Sequence, residues 1–531
     1  MKKAFIYIFA ILATWLSVTA CHDEDLPVSD GSGISDAGSQ AYIKLSLSLQ
    51  RDARSSGPTG GEDGDGAEKG INKENAIHNL TLFLYTSDRG ANDAERTPVS
   101  FSCYLSDVRF FPQSDDDVTY TTLPIPIKTS VDGRTKVIVA CNMGDLTLLH
   151  TLGEIRDYAV ARAWSSGTSI EECDNFTMAS ADEANVRWRG SDGRLLGLTP
   201  DEPVEISLGV ERTAARIDFC ANPAQQDGPE PFSYDVMPYA GSTDIEGRFH
   251  LTHVRPVNVM QSPSRLLKAT ASAPLAGAVL NYYGVEKLSA ETGLAENYVM
   301  EPTTLLKTEQ NRTNAALLTS WFGATAVANS LSPDYFTDAY KTAAREKLRV
   351  TEEKDGTKVK SYIVGYAHEN TMPEQFSVAE FVTGLALRGE YVPRTVYSDA
   401  AGTVAADYER GRTFWRYLPM RQEDLGKGAR YFSSAEAAEA YRAAHPAEAA
   451  QITEYVNGQC YYYIWIRHAG NDQPAVGPME YGIVRNNIYR IGINSLVGPG
   501  SNVPDPRGPN VIRSIIYVKK WNLRREDDIY M

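Results

Sequence analysis

Cysteine is scarce. Six occur in 531 residues, at positions 21, 103, 141, 173, 220 and 460. They are too few and too widely spaced for a disulfide framework, although an oxidising compartment leaves room for a single bridge. Positive charge is also in short supply: 52 Lys and Arg against 68 Asp and Glu leave a net charge of −16. That balance excludes nucleic acid as the main partner, because phosphate binding needs a basic face. Beyond residue 20 there is no apolar run as long as the ~18 residues a spanning helix needs. Catalytic signatures are missing as well. There is no Gly-x-Ser-x-Gly elbow, P-loop or dinucleotide fingerprint, and no carboxylate spacing singles out an acid/base pair. The expectation is a protein that is not an enzyme and needs no cofactor.

Two stretches invite a metal and neither fits. His250 and His253 would share a metal on a helix, but Phe249, Leu251 and His253 alternate as in a strand, which sends the two rings to opposite faces. Asp63, Asp65 and Glu74 occupy the first, third and twelfth positions of a calcium loop. Glu68 stands where that loop needs Gly, so a plain acidic loop is expected.

What the chain does have is β structure. Ten per cent of residues are aromatic, 29 of them Tyr, and the length allows two or three domains with full cores. Ala41–Gln50 alternates cleanly: Ile43, Leu45, Leu47 and Leu49 are apolar, with Lys44, Ser46 and Ser48 between them, the pattern of a half-buried strand. Arg51 and Arg54 follow at once, and Ser55–Gly70 is a Gly- and Asp-rich loop, so the junction is an accessible target for a trypsin-like protease. Further strands are predicted at 76–85, 100–105, 119–127, 135–140, 204–208, 210–219, 248–254, 359–366 and 460–466, with a hairpin-like pair over 483–493. Helices are predicted at 146–164, from Leu148, Leu152, Ile155 and Ala159, and at 436–452, broken by Pro446. Tyr461, Tyr462 and Tyr463 suggest a sugar platform, but their alternation in a strand is better explained by core packing. Strands run consecutively rather than alternating with helices, so the fold class is all-β with minor α, built as antiparallel sandwiches.

The last strand, Val511–Trp521, is apolar in both phases. Ile512, Ile516 and Val518 lie in one; Ile515, Tyr517 and Trp521 lie in the other. Such a strand wants cover on both faces. It hangs on a Gly- and Pro-rich leash, Gly498–Pro509. Two readings follow from its pattern: a strand that folds back into its own sheet, or one meant for another molecule's sheet.

The N-terminus reads as a secretory signal: Lys2 and Lys3, an apolar core from Ala4 to Val18, then small residues. Val18-Thr19-Ala20 ending at Cys21 resembles a bacterial lipobox, which would make Cys21 the acylated first residue of a lipoprotein. The acidic run His22-Asp23-Glu24-Asp25 resembles a surface-export signal of Bacteroidetes lipoproteins.

Together with the Val210-Glu211-Arg212 to Ala215-Arg216 block, Tyr462-Tyr463, Val484-Arg485-Asn486-Asn487-Ile488-Tyr489 and Val503-Pro504-Asp505-Pro506, these residues resemble the fimbrillins of Bacteroidetes. Among those they resemble most the shaft subunit of short fimbriae. The resemblance implies two tandem transthyretin-like sandwiches: signal 1–20, lipidated propeptide 21–54, N-terminal sandwich 55–209, C-terminal sandwich 210–497, and leash with donor strand 498–531. It also implies a mechanism. The chain is exported to the outer membrane as a lipoprotein. An Arg-specific protease cuts after Arg54, with Arg51 as second candidate, and removes the strand carrying Ile43, Leu45, Leu47 and Leu49. A neighbour's C-terminal strand (Ile512, Ile515, Ile516, Tyr517, Val518, Trp521) then fills the vacated groove. The implied partners are further copies of the chain and the anchor and tip subunits of a surface fimbria, serving adhesion and biofilm formation. Ser514 departs from the expected apolar pattern. The rival readings are a fimbrial anchor subunit, or a glycan-binding lipoprotein held at Cys21.

Overall fold

The structure is a computed structural model of the chain. It describes residues 39–49, 67–86, 97–106, 111–112, 120–129, 134–165, 173–238, 244–260, 263–274, 279–287, 289, 295–303, 348–352, 358–379, 381–421, 423–424, 427–469, 475–505 and 512–522. Cys21, Arg51 and Arg54 lie outside the described residues.

The first large sheet is built from β1 (Ser39–Leu49), β3 (Leu80–Thr86), β4 (Val99–Leu105), β5 (Phe111–Pro112), β6 (Tyr120–Thr121), β7 (Ile125–Thr129), β8 (Thr135–Cys141), β9 (Met178–Ser180) and β10 (Val204–Arg212). The short β2 (Ala67–Lys69) precedes β3 in the chain but belongs to the second sheet. Spatial order in the first sheet is β4-β3-β8-β9-β10-β1-β6-β5, with β7 also on β1 and Ala184–Asn185 on β8. The second sheet contains β11 (Ala215–Cys220), β12 (Ser233–Met237), β13 (Gly247–Val257), β14 (Leu348–Glu352), β15 (Lys358–Ala367), β16 (Gly384–Pro393), β17 (Gln459–Trp465), β18 (Asn487–Val497) and β19 (Ile512–Asn522). Its order is β14-β15-β11-β18-β12-β13-β16-β17, and β19 pairs with both β18 and β2. The two sheets are sandwich-like, with few helices, and the all-β expectation holds.

Several boundaries differ from the sequence reading for local reasons. The sheets are mixed, not purely antiparallel: β1–β10, β11–β18, β12–β18 and β2–β19 run parallel, each joining strands far apart in sequence. Residues 146–164 are not one helix. A capping box at Thr151, whose hydroxyl accepts from the Glu154 N–H at 3.1 Å, starts α2 (Leu152–Asp157) late. Leu148 is 81% exposed, and Ala159–Val160 pairs as a short strand with Ser264–Arg265. The expected strand 210–219 breaks at Thr213–Ala214, where the chain passes from the first sheet to the second. The pair expected over 483–493 is a single strand. Asn486, at φ +56°, turns the chain into β18, and Ile483 makes only an isolated bridge to Asn370. In the other helical stretch, α3 covers Ala435–Ala444 and is capped by Ser434.

The sheets meet over a buried ionic cluster that carries two of the sequence blocks singled out above, Val210–Arg216 and Val484–Tyr489. Glu74, from the one-turn α1 (Asn72–Asn75), accepts from the Ile71 N–H at 2.9 Å, the Tyr366 hydroxyl at 2.7 Å and the Arg216 guanidinium at 3.1 Å. Arg216 also holds Asp218 at 2.9 Å, and Asp218 accepts from Arg490 at 3.2 Å. Arg212 donates to the Glu74 carbonyl at 2.9 Å, to Asn75 at 2.5 Å and to Asn486 at 3.3 Å. Arg485 grips Glu369 through two bonds of 2.7 Å each, and Lys268 pairs with Glu211 at 3.0 Å. Glu74 therefore serves a structural ion pair, not the calcium loop that its spacing suggested. Burial, reinforced by Glu74, holds the Tyr366 phenol well above its usual range, so it stays protonated and donates.

Buried ions are tolerable only while every partner is present. Glu74→Ala is expected to destabilise the full chain by about 3–5 kcal/mol, read from urea unfolding. His368 offers a pH test. Burial, and then the charge of Arg485, push its imidazole down to about 4. It is neutral in the folded chain at neutral pH, whereas the unfolded chain takes up its proton near pH 6.5. Stability is thus lost as pH falls from about 6.5 towards 4. The stability difference between the wild type and His368→Asn is expected to shrink by about 2 kcal/mol between pH 7 and pH 5.

Candidate assembly site at the two terminal strands

β1 is an interior strand. It runs parallel to β10 over seven pairs, from Ile43↔Val204 to Leu49↔Val210. On its other side it is antiparallel to β7, from Ser39↔Thr129 to Ile43↔Ile125, and to β6 at Ser46↔Thr121 and Leu47↔Tyr120. Ala41, Ile43, Leu45 and Leu47 are fully buried in the first core, while Tyr42, Lys44, Ser46 and Ser48 are half-buried, as strand alternation requires. The expected removable strand is therefore a core element of this chain. Leu49 closes the pairing with β10; its side chain lies outside the described ones.

Two contacts in this seat were not read from the sequence. Residues 119–127 looked like one strand, but Pro124 splits it into β6 and β7. At the break Thr122 takes over from the ladder: its N–H donates to the Leu45 carbonyl at 2.9 Å and its hydroxyl accepts from the Leu45 N–H at 3.0 Å. The Pro was the available signal. At the strand's start the Tyr42 N–H donates to the Gly197 carbonyl at 2.7 Å. Gly197 has φ +75°, and a Cβ there would stand 2.8 Å from the Tyr42 carbonyl, so only glycine fits this approach.

β19 lies at the other end of the chain and in the other sheet. It is antiparallel to β18 from Leu496↔Ile512 to Asn487↔Lys520, with an irregularity at Ile493/Ser495 opposite Ser514. Ser514 is exposed, and Ile516 is half-buried against the second core. Ile512, Ile515, Tyr517, Val518 and Trp521 are placed by their register; their side chains lie outside the described ones. In the full chain the last strand sits in its own subunit's sheet. Its far side is paired, among the described residues, only by β2, at Ala67↔Lys520, Glu68↔Trp521 and Lys69↔Asn522.

The start of the leash is fixed. The Tyr462 hydroxyl donates to the Gly498 carbonyl at 2.8 Å and the Tyr455 hydroxyl to the Gly500 carbonyl at 3.0 Å. Tyr461 and Ser501 exchange two backbone bonds, and Asn502 donates to the Glu454 carbonyl at 3.0 Å. All three consecutive tyrosines are buried: Tyr462 in the second core, Tyr461 and Tyr463 beside Val257 and Ala386. No aromatic platform faces solvent here. His250 pairs with Glu230 at 3.1 Å, and His253 contacts Arg388. No group of three or more metal-ligating side chains occurs among the described residues.

These features define an all-β chain whose first strand fills one sheet and whose last strand caps another. Residues 453–527 match the family model "Major fimbrial subunit protein type IV, Fimbrillin, C-terminal", a span that holds the leash clamp, Arg485 and β19. The matched span includes Tyr462-Tyr463, Val484–Tyr489 and Val503–Pro506, three of the stretches on which the resemblance to fimbrillins was read. No curated protein sequence matches the chain. Among solved structures, a candidate cell adhesion protein of Bacteroides eggerthii is 12% identical at TM-score 0.39, over 93% of this chain and 99% of that one. The fimbrilin (fimA) of Porphyromonas gingivalis W83 is 13% identical at TM-score 0.38, over 91% and 99%. The tip fimbrial protein Mfa3 of Porphyromonas gingivalis is 10% identical at TM-score 0.33, over 91% and 100%. All three scores lie under 0.5, and the functional reading rests on the family match and on this chain's own geometry.

Leu45→Ala removes a fully buried side chain from the middle of β1. It is expected to destabilise the full chain by about 2–5 kcal/mol in urea unfolding. Lys44→Ala, whose pair with Glu205 at 3.2 Å is partly exposed, should cost under about 1 kcal/mol.

Proposed function

We propose that this chain is the polymerising shaft subunit of a surface fimbria, assembled by strand exchange. The observation that carries this reading is the seat of β1. A strand with four fully buried side chains lies between β10 and β6/β7, and residues 50–66, which contain Arg51 and Arg54, join it to the strands that follow. A cut there detaches a core strand without touching the sheet around it, and leaves a slot with an apolar floor and two unpaired ladder edges. Both properties favour refilling by another extended strand. The two-faced β19 on its leash is the candidate filler. One subunit donating to the next gives head-to-tail contacts that do not close, and hence a filament.

In this reading Cys21 carries the lipid that holds the precursor at the outer membrane, and the protease acts after Arg54 or Arg51. The mature chain comprises sandwiches at 55–209 and 210–497 followed by the donor segment. Anchor and tip subunits end the polymer, and the fimbria promotes adhesion and biofilm formation. A second reading rests on the pairing of β19 with β18: a chain that keeps its last strand at home would suit a fimbrial anchor subunit that stays acylated at Cys21.

The N-terminal residue of protein recovered from the cell surface separates the two. A start at Ser55 or Asp52, with a detergent-resistant ladder that Arg51→Ala/Arg54→Ala abolishes, supports the shaft. An acylated Cys21 on monomeric protein, indifferent to an Arg-specific protease, overturns the shaft reading in favour of the anchor.

A further inference from the structure

β19 cannot serve a neighbour while it is paired with β18, so a donor held at home needs a release. We infer that β2 is the latch that keeps β19 in its own sheet, and that the cut which frees β1 also weakens this latch. The inference rests on the shaft reading for the identity of the cut and adds to it a coupling between the two ends of the chain.

β2 is the only described strand on the far side of β19, and it covers the last three residues, Lys520–Asn522. A three-residue parallel ladder is weak by itself and persists because its flanks are fixed. Downstream the fixing is strong: Ile71 and Glu74 are fully buried, and Glu74 is held by Arg216 and Tyr366. Upstream β2 is tied through residues 50–66 to β1, which is locked into the first sheet. Cleavage after Arg54 removes the upstream tie and turns β2 from a segment held at both ends into one held at a single end. The conformational entropy lost in keeping it on β19 rises accordingly.

The near end of β19 behaves differently. Gly498, Gly500 and Ser501 are pinned by Tyr462, Tyr455 and Tyr461, and none of these contacts involves β1 or β2. β19 is thus held along its length by β18, at its base by a clamp that the cut does not reach, and at its tip by a latch that it does. The segment that swings out begins after the clamp, and the partner it seeks is the β1 slot of a second copy.

The test is peptide-resolved hydrogen exchange over Ile512–Asn522 in the full chain. To keep polymerisation from masking release, β1 is stapled in place by Ile43→Cys/Ile125→Cys, a directly opposed pair. The stapled chain is measured before and after an Arg-specific protease cuts within residues 50–54. Amides of Ile512–Asn522 are expected to exchange at least about ten-fold faster after the cut, while Gly498–Asn502 remain protected. Glu68→Pro, which breaks the β2 ladder, should reproduce the acceleration in the uncut, unstapled chain, and Glu62→Pro should not. Exchange over Ile512–Asn522 that neither the cut nor Glu68→Pro alters would overturn the latch. If the unstapled cut protein still forms the ladder in that case, the shaft reading stands and the coupling alone falls. Faster exchange with no ladder from the unstapled cut protein leaves the latch in place and refutes the shaft reading.

Discussion

The carboxylate of Glu74 is the constraint on which the architecture depends. It accepts from Arg216 at the start of β11 and from Tyr366 near the end of β15, while its own backbone carbonyl accepts from Arg212 at the end of β10. One acidic residue therefore joins the first sheet, the second sheet and the chain entering the body after the N-terminal loop. Charges buried in this way gain little over a well-packed apolar core, but they are intolerant of losing a partner. That intolerance holds the segment Ile71–Asn75 in one place. Ile71–Asn75 is fastened to both sheets by contacts that do not involve β1.

This fastening divides the molecule into a body and two attached strands. β1 contributes core side chains, a seven-pair ladder to β10 and an interrupted ladder to β6 and β7, yet it connects to the body through a stretch with no apolar anchor. β19 completes the second sheet and is likewise preceded by a Gly- and Pro-rich leash. The proposed assembly would exchange such strands between molecules at little net cost, because the pairing lost in one subunit is regained in another. The barrier to exchange then lies in displacing the home strand. In the proposed assembly, a cut in the loop between β1 and the body turns the departure of β1 into a dissociation of separate chains, which frees it to leave for good.

Much of this was legible in the sequence. The alternation from Ile43 to Leu49 announced β1, and both-phase apolarity announced a strand at Val511–Trp521. Helix 435–444 and the strands expected at 248–254, 359–366 and 460–466 start within a few residues of their expected places, while Gly384–Pro393 and the strands around 414–455 were missed. The failures have local causes. Thr151 and Glu154 start α2 later than apolar spacing alone suggested, Pro124 splits a strand, and Asn486 turns what looked like a hairpin. Glu74 was noticed for the wrong reason. Its spacing from Asp63 matched a calcium loop, whereas its hydrogen-bonded partner Tyr366 stands 292 residues away. No local pattern encodes such a contact.

By itself the sequence determined fold class, the identity of the terminal strands and the arginines between β1 and the body, because period-two apolarity and breaker composition are local properties of a chain. Only the tertiary structure decided that β1 lies parallel to β10, that β19 stays on β18, and that β2 reaches across to β19. The pairings β1–β10 and β2–β19 join strands distant in sequence, and which distant strands pair depends on the burial of whole sheet faces and on the ionic cluster between them. The order of residues along any one strand carries no trace of that choice.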